Sequence, residues 1–278
     1  MSPTPSYACI WLWDSITVLC DGNVTCGLED PLGTRSFGNL KSSSLMEIFS
    51  SAAVNQLRIQ LLSGNSGVPC STCKLYHQID ESTVDALASS FPYPKRLVLE
   101  TTIRCNIRCP NPTCNVTNDK KFRFREETYM SWPLFCELID EVGPYLEEIR
   151  FYNYGEPFLH PRAIDMLEYI RRTNPSVRII TSTNGLLLSK GDKARRIVEN
   201  GLLDWICFTI AGCDEETYQR YHPGGTFAEA IRGMKALVDE KIRTGKSRPT
   251  VHWRYLASYV LKAEQKESNT FRPPPVAG

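Results

Sequence analysis

From residue 95 onward the chain alternates short apolar runs with stretches of helical periodicity, and this order restricts the fold more than any other feature. Short strands are expected at 96–101, 148–153, 177–181, 203–211 and 250–256. Helices are expected from Ser131 (Leu134, Leu138, Val142), from Pro161 (Ile164, Leu167, Ile170), over about 190–200, and through Phe227, Ile231, Met234 and Leu237. Strand–helix repeats joined by right-handed crossovers build a parallel sheet with helices outside it. The expected fold class is therefore α/β, an open sheet or partial (β/α) TIM-like barrel of about five units.

Residues 7–90 follow a different pattern. A strand at 15–20 meets a second at 23–26 across Asp21-Gly22, a favoured two-residue hairpin turn. Leu45, Ile48, Phe49 and Ala52 then recur at helical spacing from about residue 44. The stretch at 63–69 breaks that helix just before Cys70-Ser-Thr-Cys73. A small cysteine-rich α+β module thus precedes the repeats. The expected organisation is 1–90 for the module, 91–262 for the α/β core and 263–278 for a polar, disordered tail ending in Arg272-Pro-Pro-Pro.

Eleven cysteines in 278 residues is a high count for a chain large enough to fold without disulfide staples. No basic n-region precedes an apolar core at the N-terminus, so the thiols read as metal ligands or redox groups in the cytoplasm. A net charge of +1 gives no footprint for nucleic acid, and no apolar run is long enough to span a bilayer. Cys105, Cys109 and Cys114 form one tight group directly after the first strand of the repeats. A loop at the C-terminal end of a parallel strand faces the mouth of the sheet, where α/β sites lie. Three thiolates leave one iron of a cubane cluster open to a small molecule, while a zinc knuckle with a fourth ligand elsewhere is the alternative reading. Cys136, Cys207 and Cys213 are scattered and read as small buried hydrophobes. His77, His160, His222 and His252 show no ligand spacing, and His160 and His222 read as capping or surface residues near the strand-end loops.

The segment Leu99-Glu-Thr-Thr-Ile-Arg-Cys-Asn-Ile-Arg-Cys109 resembles the first strand and cluster loop of the radical S-adenosylmethionine (radical SAM) enzymes. Tyr154-Gly155-Glu156-Pro157 is similar to that family's Gly-Glu-Pro motif, Thr181-Ser-Thr-Asn184-Gly185 to its Thr-Asn-Gly turn, and Phe208-Thr209-Ile-Ala-Gly212 to the strand that meets the ribose. The resemblance implies a 4Fe-4S cluster on Cys105, Cys109 and Cys114, with S-adenosyl-L-methionine held by Gly155, Glu156, Pro157, Asn184 and Thr209. It also implies an external one-electron donor, reductive cleavage to a 5′-deoxyadenosyl radical, and hydrogen abstraction from a peptide or small-molecule substrate. No catalytic residue is assigned. The N-terminal module resembles a SPASM domain, which implies an auxiliary 4Fe-4S cluster on Cys9, Cys26, Cys70 and Cys73, with Cys20 competing with Cys9. A four-cysteine zinc site fits that spacing nearly as well.

Three positions depart from the family pattern. Cys109 and Cys114 are separated by four residues rather than two, Thr113 replaces the usual aromatic, and Ala211 stands where an aspartate is frequent. The family's sixth strand–helix unit is not recognisable after Tyr255, so the chain is expected to be truncated at its C-terminus. The alternatives are an inactive remnant serving as a metal-binding module, or a structural zinc protein.

Overall fold

The computed structural model describes residues 6–9, 11–26, 33, 35–65, 67, 70–80, 82–83, 93–110 and 125–255. Cys114 and the tail 263–278 lie outside these residues.

The repeats form as the periodicity requires. Strands β6 (Arg96–Leu99), β7 (Glu148–Arg150), β8 (Arg178–Thr183), β9 (Trp205–Thr209) and β10 (Thr250–Arg254) pair in parallel, each with the next. Between them run α4 (Trp132–Val142), α5 (Ala163–Thr173), α6 (Lys193–Glu199), the short α7 (Glu215–Tyr221) and α8 (Phe227–Thr244). Local chemistry fixes their ends. Ser131 caps α4 by accepting the Leu134 N–H, Thr226 caps α8 through Glu229, and Asp214 closes a reciprocal capping box with Thr217 on α7. Four of the strands end short of the apolar runs, whose last residues turn out of the sheet into strand-end loops, whereas β8 runs two residues beyond the expected end at 181.

The N-terminal hairpin is present. Its strands are β2 (Ser15–Val18) and β3 (Asn23–Thr25), antiparallel, with β4 (Gly38–Asn39) beyond β3. Sequence periodicity does not reveal where the hairpin goes. β2 lies parallel to β6, with Ile16 opposite Leu97 and Val18 opposite Leu99. One mostly parallel sheet of eight strands results, in the order β10-β9-β8-β7-β6-β2-β3-β4. Ile16, Val18, Val24, Leu45, Ile48 and Phe49 consequently share a continuous core with Leu97, Phe135, Ile149 and Phe208.

The helix expected from residue 44 is two helices. α2 (Leu45–Phe49) ends at Ser50, whose hydroxyl bonds back to the Met46 carbonyl, and Ser51 caps α3 (Ala52–Leu62) by accepting the Val54 N–H. A smaller core forms around α3 from Ala8, Leu12, Trp13, Val54 and Leu61. β1 (Ser6–Cys9) pairs antiparallel with β5 (Tyr76–Ile79) above it, and the one-turn helix α1 (Trp11–Asp14) links β1 to β2. Among the described residues, no helix is long and apolar enough to cross a membrane.

Candidate active site

The loop after β6 is clamped on both sides before it delivers its thiols. On one side, Ile103 N–H donates to the Thr128 carbonyl and Met130 N–H to the Thr101 carbonyl. On the other, Arg108 N–H donates to the Pro223 carbonyl at 2.8 Å. Within the loop, Thr102 Oγ1 receives the Arg104 N–H. Cys105 and Cys109 sit half-buried on the wall of a cavity of about 300 Å³ at the C-terminal ends of β7–β10. Parallel strands place their binding crevices at this end.

The Gly-Glu-Pro turn after β7 is locked to the same loop. Gly155 has φ +84°, and a Cβ there would stand 2.4 Å from the Thr102 carbonyl oxygen and 2.8 Å from that of Arg104. Only glycine permits this approach of two backbones. The next N–H, of Glu156, then donates to the Arg104 carbonyl at 2.8 Å. The Glu156 carboxylate is buried and turned toward the protein. It accepts from Thr183 Oγ1 (2.9 Å), Asn184 N–H (2.8 Å) and Phe158 N–H (3.2 Å). Burial pushes its pKa up to about 7, against the opposing pull of these three donors. Pro157 opens a 3₁₀ turn and is buried behind the turn, away from the cavity wall.

Asn184 ties the three motifs together. Its N–H goes to Glu156, and its side-chain Nδ2 donates to Asn106 Oδ1 at 2.8 Å and reaches Cys105 Sγ at 3.9 Å. The turn it belongs to packs on α8 without a spacer. A Cβ at Gly233 would fall 1.8 Å from the Gly185 carbonyl oxygen. Thr209, at the end of β9, also lines the cavity, and its hydroxyl lies 3.2 Å from Ser182 Oγ.

Tyr152, Asn153, Ser182, His222 and Arg254 line the cavity as well, and the motifs did not single them out. Four of these occupy or directly follow strand ends, a position that predicts them once the strands are known. His222 is buried, and its Nδ1 accepts the Ala211 N–H at 3.5 Å. Burial lowers its pKa to about 4, so the ring is neutral and Nε2 carries the proton. His160, expected at a cap or on the surface, is buried just before α5, which has no side-chain cap. Its Nε2–H donates to the Met130 carbonyl, and Nδ1 receives Arg162 N–H at the start of α5. Under the cavity, Asn153 donates to Glu100, a fully buried acid paired with Arg125 at 2.6 Å.

In the N-terminal module, the β1–β5 pairing sets Cys9 opposite Tyr76, three residues past Cys73. Cys73 N–H closes a 3₁₀ turn onto the Cys70 carbonyl, and Trp11 Nε1–H holds the Cys26 carbonyl at 2.9 Å. These four thiols share one neighbourhood. Burial pushes Cys9 up to about 11, and Cys73 and Cys26 both add to the shift; Cys70 is raised by burial, with Cys73 contributing. Cys20 lies elsewhere, in the main core, where Sγ approaches the Glu127 carbonyl and Arg125.

The donors fit a thiolate-held cluster. Thiols line a cavity wall, one of them receives an amide hydrogen bond, and glycine clears the backbone beside them. Among the described residues, no three His, Cys, Asp or Glu side chains converge on a single-ion position. These features set two thiols beside a small-molecule-sized cleft at the mouth of an α/β sheet. Residues 99–252, more than half the chain, match the model of the radical SAM superfamily, and the chain belongs to it. Residues 9–74 match the SPASM iron–sulfur cluster-binding domain.

The chain is 34% identical over 118 residues to the tungsten-containing aldehyde ferredoxin oxidoreductase cofactor-modifying protein of Pyrococcus furiosus, covering 42% of this chain and 30% of that one. It is 25% identical over 161 residues to the GTP 3′,8-cyclase of Petrotoga mobilis, covering 56% and 46%. The chain thus spans less than half the length of these curated relatives. The AdoMet-bound anSMEcpe structure aligns at 17% identity with a TM-score of 0.45, over 63% of this chain and 48% of that one.

Proposed function

We propose that the chain binds a 4Fe-4S cluster through Cys105, Cys109 and Cys114 and uses it to cleave S-adenosyl-L-methionine for hydrogen abstraction. The observation carrying this reading is the meeting of Cys105 and Cys109 with Glu156, Asn184 and Thr209 around one cavity. When bound, the cluster supplies the electron that breaks the sulfur–carbon bond and releases a 5′-deoxyadenosyl radical. The chain's own residues position and shield. Asn184 fixes Cys105 and Asn106 in one arrangement. Glu156 braces the Gly-Glu-Pro turn, whose backbone would meet the ligand's ammonium end. The Ser182 and Thr209 hydroxyls offer a pair of ribose partners, and His222 presents a neutral donor across the pH range of enzyme assays.

A second, auxiliary cluster on Cys9, Cys26, Cys70 and Cys73 completes the reading. An external one-electron donor and a peptide or small-molecule substrate are its expected partners. A cytoplasmic location accords with cysteines that serve as metal ligands rather than disulfide partners.

Anaerobic reconstitution with iron and sulfide tests this. Two clusters per chain are expected, with 5′-deoxyadenosine and methionine formed on reduction with dithionite. Cys109→Ala should abolish that cleavage and leave the iron of the first module in place. Zinc retained with no iron uptake would sink the reading. Loss of iron from both halves in the single variant would show the ligands to be wrongly divided.

A further inference from the structure

Glu100 stands one residue past β6, fully buried, with its backbone N–H on the Val18 carbonyl at 2.9 Å. Its carboxylate gathers three segments of the chain. Oε1 accepts from Arg125 Nη1 at 2.6 Å and from the Cys20 N–H at 3.2 Å, while Oε2 accepts from Asn153 Nδ2 at 3.3 Å. Arg125 in turn lies 3.7 Å from Asp21 in the hairpin turn. The ion pair thus joins the two ends of the segment 100–125, within which Cys105 and Cys109 lie. A buried ion pair is weak evidence for stability, since neutral groups of similar volume often do as well. What neutral groups would not reproduce is the direction of the bond to Asn153.

Asn153 lines the cavity two residues before Gly155. A carboxylate salt-bridged to arginine has no proton to give, so the amide nitrogen of Asn153 is the end that faces it. The amide oxygen points the other way and is the end left for the cleft. An asparagine without such a partner could turn either end inward, because its two ends are nearly equal in size. Glu100 removes that choice.

We propose that Glu100 is a positioning residue that holds Asn153 with its amide oxygen toward the cleft, where it accepts a hydrogen bond from S-adenosyl-L-methionine. That ligand carries an ammonium, two ribose hydroxyls and an adenine amine, all of them donors. The assignment rests on the function proposed above.

Glu100→Gln is the first test. Arg125 and the Cys20 N–H hold the new amide oxygen at the Oε1 position, so the new NH2 takes the place of Oε2 and faces Asn153. Asn153 then turns its oxygen toward position 100 and its own NH2 toward the cleft. Titration of the reconstituted protein with S-adenosyl-L-methionine, followed by EPR of the reduced cluster, should show about tenfold weaker binding. Adding Asn153→Asp should restore most of the affinity, because one carboxylate oxygen accepts from the new NH2 and the other faces the cleft. A purely structural Glu100 would give no such rescue, since a second buried change would only add to the first. Asn153→Leu, which has no acceptor, should weaken binding as Glu100→Gln does, and it decides the matter if Glu100→Gln takes up no iron. Unchanged affinity in Asn153→Leu, or no recovery in a folded double variant, would overturn the proposal alone. A reconstituted wild-type chain that binds no S-adenosyl-L-methionine would overturn the function proposed above and this assignment with it.

Discussion

Glu156 has three hydrogen-bond donors and still keeps a pKa near 7, because burial opposes the charged form more strongly than the donors support it. The consequence for stability has a definite sign. Below about pH 4.5, the group's ordinary value, the folded and unfolded chains both hold the proton and the site costs nothing. As pH rises from there to about 7, the unfolded chain gives the proton up and the folded chain keeps it. Stability therefore falls across that window, by about 3 kcal/mol in total, and levels off above it. Urea midpoints measured from pH 4 to 8 should show this slope. Glu156→Gln should flatten it, at a separate cost of about 1–3 kcal/mol for turning an amide N–H toward a backbone donor; a slope that persists in the variant would assign it to another group. Much of this site was legible in the sequence. Gly155, Glu156, Asn184 and Thr209 stand out by motif and all reach the cavity wall. Asn153 and Arg254 carry no motif and Ser182 was given no role within its own, and what places them is their position at strand ends, which depends on registers set by tertiary pairing. The Tyr218 hydroxyl, buried with no hydrogen-bond partner among the described residues, answers to no pattern, because burial without a partner is a property of the packed molecule.

At the scale of elements, the meeting of α8 with the turn after β8 shows packing overruling propensity. Gly233 lies inside an eighteen-residue helix, where alanine is intrinsically better by about 1 kcal/mol. Its missing Cβ is what lets the Gly185 carbonyl approach, since an added carbon would overlap that oxygen at 1.8 Å. Gly233→Ala should thus destabilise the chain by about 1–3 kcal/mol, the cost of overpacking a tight contact, as read by chemical denaturation. A stabilised variant would mean that the helix can slide outward at little cost. The same change should loosen Asn184, one residue before Gly185, and with it the clamp on Cys105. The periodicity found α8 and most of the other helices, since amphipathic spacing is a local signal. It merged α2 with α3 because the apolar spacing runs on through Ala52, whereas two successive serines bond the backbone in competing ways and break the helix.

For the whole molecule, the decisive contact is the parallel pairing of β2 with β6, which joins the hairpin of the cysteine-rich segment to the sheet of the repeats. No local pattern announces it, because the partners are remote in sequence: the Cys20 N–H meets the Glu100 carboxylate across 80 positions. Ile16 is fully buried in the shared core. Ile16→Ala should therefore cost about 2–5 kcal/mol and shift one common unfolding transition, as followed by tryptophan fluorescence and far-ultraviolet circular dichroism together. Two separate transitions, with only the first moved, would show that the halves melt independently. The same pairing also bears on synthesis. The ribosome extrudes β2 long before β6, so the hairpin emerges with an apolar edge whose partner has not yet been made. Until residues 96–99 clear the exit tunnel, Ile16 and Val18 have only β3 beside them, and the chain must be guarded from pairing with a neighbour's edge.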